Sequence, residues 1–368
     1  YYDDMDLVCT NSYICFHFKL LLMNILHITD FHYSQKSIQA SSTVVNAIIA
    51  AIKRENITID LIIFSGDLVN DGSQYESFND ASNTLFTPLC RDLSVDRRNV
   101  IFCPGNHDID RTMIHSAAKS FFDSNIVDVD SLNSFYTNKS DSMFLDSLKP
   151  LKNYKHFLST YHTTGNDDVI EDLYSIHYRT VDNNTIAIAC LNTSWVSALD
   201  REGRNDKGNL LVPPKVLSEI VGHLKQVSNI HKKVIVLHHP LYFLKEYNFY
   251  ELENQLYNEF DVMFTGHVHK ILSTSRHSGV SGIFEHVSKA SLSLGESQGC
   301  SIISLDQIEE NTIRVREVSF ISDVSECHIS PEVVHTIPCG EEKIKAIQFR
   351  KKIADKISIE KENANKLL

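Results

Sequence analysis

Six short apolar segments rich in Ile, Val, Leu and Phe recur along the chain, and five of them stop on a tight polar cluster. Asn24 to Thr29 runs into Asp30 and His32, Asp60 to Ser65 into Gly66-Asp67, and Asn99 to Cys103 into Gly105-Asn106-His107-Asp108. Lys233 to Leu237 ends at His238-His239, and Val262 to Thr265 at Gly266-His267-Val268-His269. The sixth, Thr185 to Leu191, ends at Asn192-Thr193-Ser194-Trp195. Apolar runs this short read as buried strands. Between them, Ala40 to Arg54 and Pro214 to Val227 carry apolar residues at helical spacing, and residues 280–323 alternate as antiparallel strands do. The chain is therefore an α/β protein. In such sheets ligands bind outside the carboxyl ends of the strands, so clusters far apart in sequence can share one site.

The clusters hold two carboxylates (Asp30, Asp67), an amide (Asn106) and four imidazoles (His32, His238, His267, His269). A single Asp or His at a strand end is more often a loop hydrogen-bond partner than a metal ligand. Seven oxygen and nitrogen donors without thiolate are too many for one ion and suit two, of the Mn, Fe, Co, Ni or Zn kind, with one carboxylate shared. Two ions 3.5–4 Å apart clamp the attacking and leaving oxygens of a phosphoryl centre, and phosphate-ester hydrolysis is the chemistry such a pair serves. Gly66, Gly105 and Gly266 allow the sharp turn that brings the next side chain in close.

Asp30-Phe-His32, Gly66-Asp67, Gly105-Asn-His-Asp108, His238 and Gly266-His-Val-His269, in this order, resemble the calcineurin-like metallophosphoesterase family over residues 30–269. The resemblance implies a four-layer α/β/β/α sandwich of two mixed sheets, and Asp110 to Asp182, the longest stretch without a strong strand, reads as a helical cap inserted into it. The resemblance implies that Asp30, His32 and His269 hold one divalent metal, that Asn106, His238 and His267 hold the other, and that Asp67 bridges them, with manganese the expected ion. His107 would protonate the leaving group, Asp108 would orient its imidazole, and metal-bound hydroxide would attack phosphorus. The wording around Cys103 to Arg111, Leu191 to Trp195 and His238 to Leu241 is similar to bacterial members near the cyclic-nucleotide phosphodiesterase and DNA-repair-exonuclease branches. A phosphodiesterase acting on nucleotides or nucleic acid is expected. The competing readings are a nuclease effector of a larger defence protein, a phosphomonoesterase or protein phosphatase, and a scaffold without turnover.

Arg111, Asn192, Trp195, Arg201 and Arg204 follow the site-forming segments and are candidates to touch substrate, though solvated loop positions have the same appearance. His239 reads as a packing or supporting residue beside His238, and His27 as a core histidine. The basic stretches 201–233 and 343–356 read as solvated helix faces. The net charge of -12 excludes sequence-independent coating of DNA or of an anionic membrane as the main role. The eight cysteines form no C-x-x-C pair, so they read as reduced thiols of a cytoplasmic protein.

The apolar stretch Ser12 to Met23 is preceded by Asp3, Asp4 and Asp6 and interrupted by Lys19, unlike a signal peptide. A native start at Met23 is expected, with 1–22 as an extension, 23–335 as the catalytic domain and 336–368 as a charged helical tail. That tail would dock on the domain, pair with a partner or continue into a further domain. No segment reads as a membrane span.

Overall fold

The computed structural model describes residues 22–161, 168–181, 184–199, 206–278, 281–292, 298–306 and 311–338. In chain order the strands are β1 (Leu22–Ile28), β2 (Leu61–Phe64), β3 (Val100–Phe102), β4 (Val169–Ile170), β5 (Tyr174–Val181), β6 (Asn184–Leu191), β7 (Ile230–Val236), β8 (Val262–Thr265), β9 (Leu272–Ser278), β10 (Ser281–Val287), β11 (Gly299–Asp306), β12 (Thr312–Ile321), β13 (Glu326–Ile329) and β14 (Val333–Thr336). The helices are α1 (Ile38–Arg54), α2 (Tyr75–Leu93), α3 (Ala118–Asn125), α4 (Val129–Thr137), α5 (Ser142–Leu148), α6 (Lys152–Tyr161), α7 (Pro214–Gln226) and α8 (Glu246–Glu259).

All six expected strands form, and each is apolar on both faces because each is covered on both. One sheet has the order β13-β12-β11-β1-β2-β3 with β14 beside β12, the other β4-β5-β6-β7-β8-β10-β9. Both are mixed: β1, β2 and β3 run parallel while β11 joins β1 antiparallel, and β6, β7, β8 and β10 run parallel while β5 and β9 are antiparallel additions. Alternate residues of the central strands face each other across the sandwich. Ile25, Ile63 and Ile101 from one sheet meet Ile188, Val236 and Phe264 from the other. The opposite faces pack against helices, with Leu26, Ile62 and Phe64 on α1 and α2, and Ala189, Ile235 and Met263 under α7 and α8. This is the four-layer α/β/β/α arrangement.

Several boundaries differ from expectation. The stretch 110–182 contains four helices and also β4 and β5, an edge of the second sheet. β5 is hidden in the sequence because Ser175, His177 and Arg179 alternate with its apolar residues, yet His177 and Arg179 are buried around the Asp168 carboxylate. The helices of this stretch join the outer layers: Phe157 of α6 stacks on Phe78 of α2, while Phe122, Phe135 and Phe144 surround Trp195. The boundary expected after 335 falls inside β14, and Ile337 is buried between the sheets. Residues 1–21 and 339–368 lie outside the described residues, and with them nearly all of the expected extension and helical tail. Among the described residues no helix is long and apolar enough to cross a membrane.

The inter-sheet layer encloses two uncharged histidines. His27 and His286 are fully buried, with ring centroids 5.4 Å apart, and each meets a serine hydroxyl at 2.9 Å, Ser65 and Ser273 respectively. Burial, and then His286, holds His27 well below the usual histidine range; burial, and then His335, pushes His286 down to about 3. Unfolding frees both to bind protons near their ordinary value of about 6.5. The stability they confer is thus present above about pH 6.5 and is lost as the pH falls, at up to about 1.4 kcal/mol per pH unit for each group. The urea midpoint is expected to fall between about pH 7 and pH 5, before the carboxylates titrate, and His286→Gln should flatten that slope.

Candidate metal centre

Backbone hydrogen bonds carry the parallel ladders past the strand ends and fix the loops in register. Asp30 N–H donates to Gly66 O at 2.9 Å, His32 N–H to Asp67 O at 2.9 Å, and Gly266 N–H to His238 O at 3.0 Å. Asp30, His32, Asp67, His267 and His269 all adopt positive φ, between 45° and 67°. Non-glycine residues seldom do so, and each such position costs on the order of 1–3 kcal/mol. Two glycines answer to space as well. Gly66 sits at φ 110° against the His238 ring, and a Cβ on Gly105 would strike the backbone and carboxylate of Asp67.

Each buried carboxylate divides its oxygens between scaffold and site. Asp30 Oδ2 accepts from the Thr29 hydroxyl at 2.7 Å and from His267 N–H at 3.0 Å, leaving Oδ1 facing His269 Nε2 at 3.2 Å and His32 Nε2 at 3.7 Å. Asp67 Oδ1 accepts from His107 N–H at 2.8 Å, leaving Oδ2 3.2 Å from His238 Nε2 and 3.8 Å from His32 Nε2. Asn106 Oδ1 lies 3.1 Å from His238 Nε2 and 3.0 Å from His267 Nδ1, and these two nitrogens are 3.2 Å apart. Two donors bound at right angles to one ion at about 2.1 Å would stand about 3 Å apart.

The donor chemistry fits cations. His238 Nδ1 faces the Ser65 carbonyl at 2.8 Å and so carries its proton there, which turns the Nε2 lone pair toward Asp67 Oδ2, Asn106 Oδ1 and His267 Nδ1. Three lone-pair atoms, Asp67 Oδ2, Asn106 Oδ1 and His238 Nε2, thus converge, and His267 Nδ1 makes a fourth in the tautomer that carries its proton on Nε2. Asp30, His32 and His269 form one candidate group, and Asp30, Asp67 and His238 another. Asp30 is common to these two groups, and Asp67 Oδ2, near His32 as well as His238, lies between the two halves of the cluster. Without metal, a proton takes the cation's part: burial disfavours it, but the Asp67 carboxylate raises His238 to about 9, while burial and then His238 lower His267 to about 4. Burial opposes ionisation of Asp30 and Asp67 too, yet the facing histidines hold both well below the usual carboxylate range.

His107 stands beside this cluster, its ring edge-on to His32 at 4.7 Å. Its Nδ1 meets the Asn70 carbonyl at 2.9 Å. The expectation that Asp108 orients this ring is not met. Asp108 is fully buried and accepts backbone N–H groups from Asp67, Leu68, Val69 and Gly105 at 2.8–3.1 Å, so it shapes the two loops instead. Nothing in the sequence marks Asn70, which acts through its backbone. His239 also comes closer than expected: its Nδ1 meets the Thr193 hydroxyl at 2.9 Å, its ring lies 4.5 Å from His267, and its buried Nε2 has no hydrogen-bond partner among the described residues. Its place beside His238 was the available signal.

The substrate candidates separate. Arg111 Nη2 donates to the Asn106 carbonyl at 3.3 Å, at the edge of the cluster. Asn192 is buried, with Oδ1 accepting from Ser194 N–H at 2.8 Å, and it lines a cavity behind the site. Trp195 is 2% exposed, and its Nε1 donates to Leu211 O at 2.6 Å. Its place in an aromatic cluster corrects the reading as a substrate contact. Trp195→Ala is expected to cost about 3–5 kcal/mol of folding stability while leaving KM of the folded fraction unchanged, as paired urea titrations and initial rates would register. Arg201 and Arg204 lie outside the described residues.

The family described as Calcineurin-like phosphoesterase matches residues 23–271. No curated protein sequence matches the chain. Among solved structures, a purple acid phosphatase from yellow lupin seeds is similar at 12% identity and TM-score 0.49, covering 88% of this chain and 55% of its own. The chain thus spans little more than half of that protein. The GAP50 anchor of the inner membrane complex of Plasmodium is similar at 14% identity and TM-score 0.42, covering 87% and 90% respectively. The NAD nucleotidase of Haemophilus influenzae is similar at 15% identity and TM-score 0.35, covering 86% and 50%.

Proposed function

From the premise that this chain belongs to the calcineurin-like phosphoesterase family, we propose that it is a phosphodiesterase of nucleotides or nucleic acid working with two divalent ions, manganese foremost. The observation that carries the reading is the convergence of seven donor side chains from five strand ends, with Asp67 Oδ2 between the two halves. Asp30, His32 and His269 would hold one ion, Asn106, His238 and His267 the other, and Asp67 both. Such a pair supplies positive charge for the phosphoryl oxygens and a water of lowered pKa.

The chain's own groups do the rest. Because Nδ1 of His107 faces a carbonyl, its second proton in the imidazolium form sits on Nε2, free to pass to a departing oxygen. An alkoxide, the leaving group of a nucleotide diester, needs that proton far more than an aryl oxide does. Arg111, tied to the Asn106 carbonyl, is placed to meet a phosphate oxygen at the rim.

The test compares bis-p-nitrophenyl phosphate, p-nitrophenyl phosphate, cyclic nucleotides and labelled single-stranded DNA after chelation and manganese reloading. Higher kcat/KM on the diester than on the monoester supports the reading, and nucleotide or DNA turnover sets the substrate. A faster monoester reaction replaces it with a phosphomonoesterase, and fewer than one ion per chain after loading replaces it with a scaffold.

A further inference from the structure

A cavity of about 300 Å³ lies behind the loop that follows β3, and none of the seven metal donors lines it. It sits where β3, the edge of one sheet, meets β5 near the edge of the other, and α6 covers the gap with Tyr154 and Leu158. Three rings, those of Phe102, Tyr154 and Tyr174, make its walls largely apolar. The Tyr154 hydroxyl is the exception: the residue is 4% exposed, and its oxygen has no hydrogen-bond partner among the described residues. Buried hydroxyls are seldom left so, and this one can both donate and accept. Asn192, also buried, gives its Oδ1 to Ser194 N–H at 2.8 Å, which leaves its amide N–H groups for an occupant. The charged wall residues already have partners. Lys155 Nζ pairs with Asp172 at 2.5 Å, and Glu171 with Lys139 at 3.8 Å.

The covering helix is fastened to both loops that carry donors from the first sheet. Asn153 Nδ2 donates to the carbonyls of Gly72 and Ser73 at 3.0 and 3.1 Å, in the segment beyond Asp67. The Pro150 carbonyl, just before α6, accepts from Asp110 N–H at 2.8 Å, in the segment beyond Asn106 and His107. Pro104, two residues before Asn106, is itself part of the cavity wall.

From this geometry we propose that the cavity is an effector site for a small uncharged aromatic molecule bearing one hydroxyl or ring N–H, and that its occupancy stiffens the loops after β2 and β3. A dry cavity of about 150 Å³ holds one benzene ring, so this one has room for one or two rings. The occupant's ring packs among the three aromatic walls, and its heteroatom supplies the partner that the Tyr154 hydroxyl lacks. An ion would lose its hydration there without meeting a free counter-charge. The metal cluster responds because Asp67 and Asn106 stand on the stiffened loops. That consequence rests on the metal reading above, whereas occupancy and stiffening can be measured in the metal-free chain.

The test titrates the full-length chain, without metal, with p-cresol, indole, toluene and benzoate in a calorimeter. One p-cresol or indole per chain is expected to bind with a Kd below about 1 mM. Toluene, which leaves the Tyr154 hydroxyl unpaired, should bind at least about tenfold more weakly, and benzoate should not bind. Tyr154→Phe should bring p-cresol down to the affinity of toluene, and Leu158→Trp should fill the cavity and abolish both. The phenylalanine variant keeps the ring, so it decides the contact even if the tryptophan cannot be packed. With p-cresol bound, amides 70–73 and 105–110 should exchange hydrogen at least about threefold more slowly. Asn153→Ala, outside the cavity wall, should cancel that protection at 70–73 while p-cresol still binds. No saturable binding of a ring compound, equal affinity for toluene and p-cresol, or preference for benzoate overturns the site. Unchanged exchange in both loops overturns the effector role.

Discussion

Asp67→Asn is expected to lower diester turnover on the order of a thousandfold and to reduce bound manganese from about two ions per chain to one or fewer. The substitution keeps the side chain's shape, and an amide oxygen could still accept the His107 N–H bond that Oδ1 holds at 2.8 Å. What it removes is charge at Oδ2, the atom that faces His238 at 3.2 Å and His32 at 3.8 Å. A neutral amide cannot offset two divalent charges at once. It also withdraws the carboxylate that raises His238 to about 9, so without metal that imidazole loses its proton at lower pH. Metal analysis and initial rates on the same preparation would check both effects. An unchanged metal content would remove Asp67 from its bridging position.

His107→Gln is expected to act selectively. For an alkyl leaving group, as in a dinucleotide, the loss should reach about a hundredfold to a thousandfold, the usual contribution of a positioned acid. For bis-p-nitrophenyl phosphate, whose leaving oxygen needs little protonation, the loss should be slight. The wild-type rate on the dinucleotide should also fall at high pH as the donor loses its proton, a limb that the variant lacks. Equal losses on both substrates would show that the His107 side chain only positions its loop, through the Nδ1 contact with the Asn70 carbonyl, and donates no proton.

Most of the scaffold and the cluster could be read in the sequence because buried strands flanked by glycines and ligands leave a strong local pattern. Val262–Thr265 forms as expected, and α1 buries the predicted Val44, Val45, Ile48, Ile49 and Ile52. Where the reading failed, the information was not local. β5 carries His177 and Arg179 inward because Asp168 and the carbonyl of Arg98, both outside the strand, satisfy them. α2 escaped notice because Asn, Asp, Ser and Thr dilute its stripe and Pro88 interrupts it, although Phe78, Leu85 and Leu89 are buried. Asp108 was assigned to its nearest polar neighbour, whereas three of its four donors come from the loop after β2 and one from its own loop. Trp195 followed a site-forming strand but turned into the hydrophobic layer.

The seven donors are divided between the two sheets. Asp30, His32, Asp67 and Asn106 follow β1, β2 and β3 of one, and His238, His267 and His269 follow β7 and β8 of the other. Beneath them the sheets are joined mainly by apolar contact, which resists separation but tolerates sliding. Ions held across that seam would act as rivets at one end of the sandwich, turning a slip plane into a hinge. Their binding energy would then add to the resistance of the whole fold to unfolding, so that the protein's mechanical rigidity and its metal supply would rise and fall together.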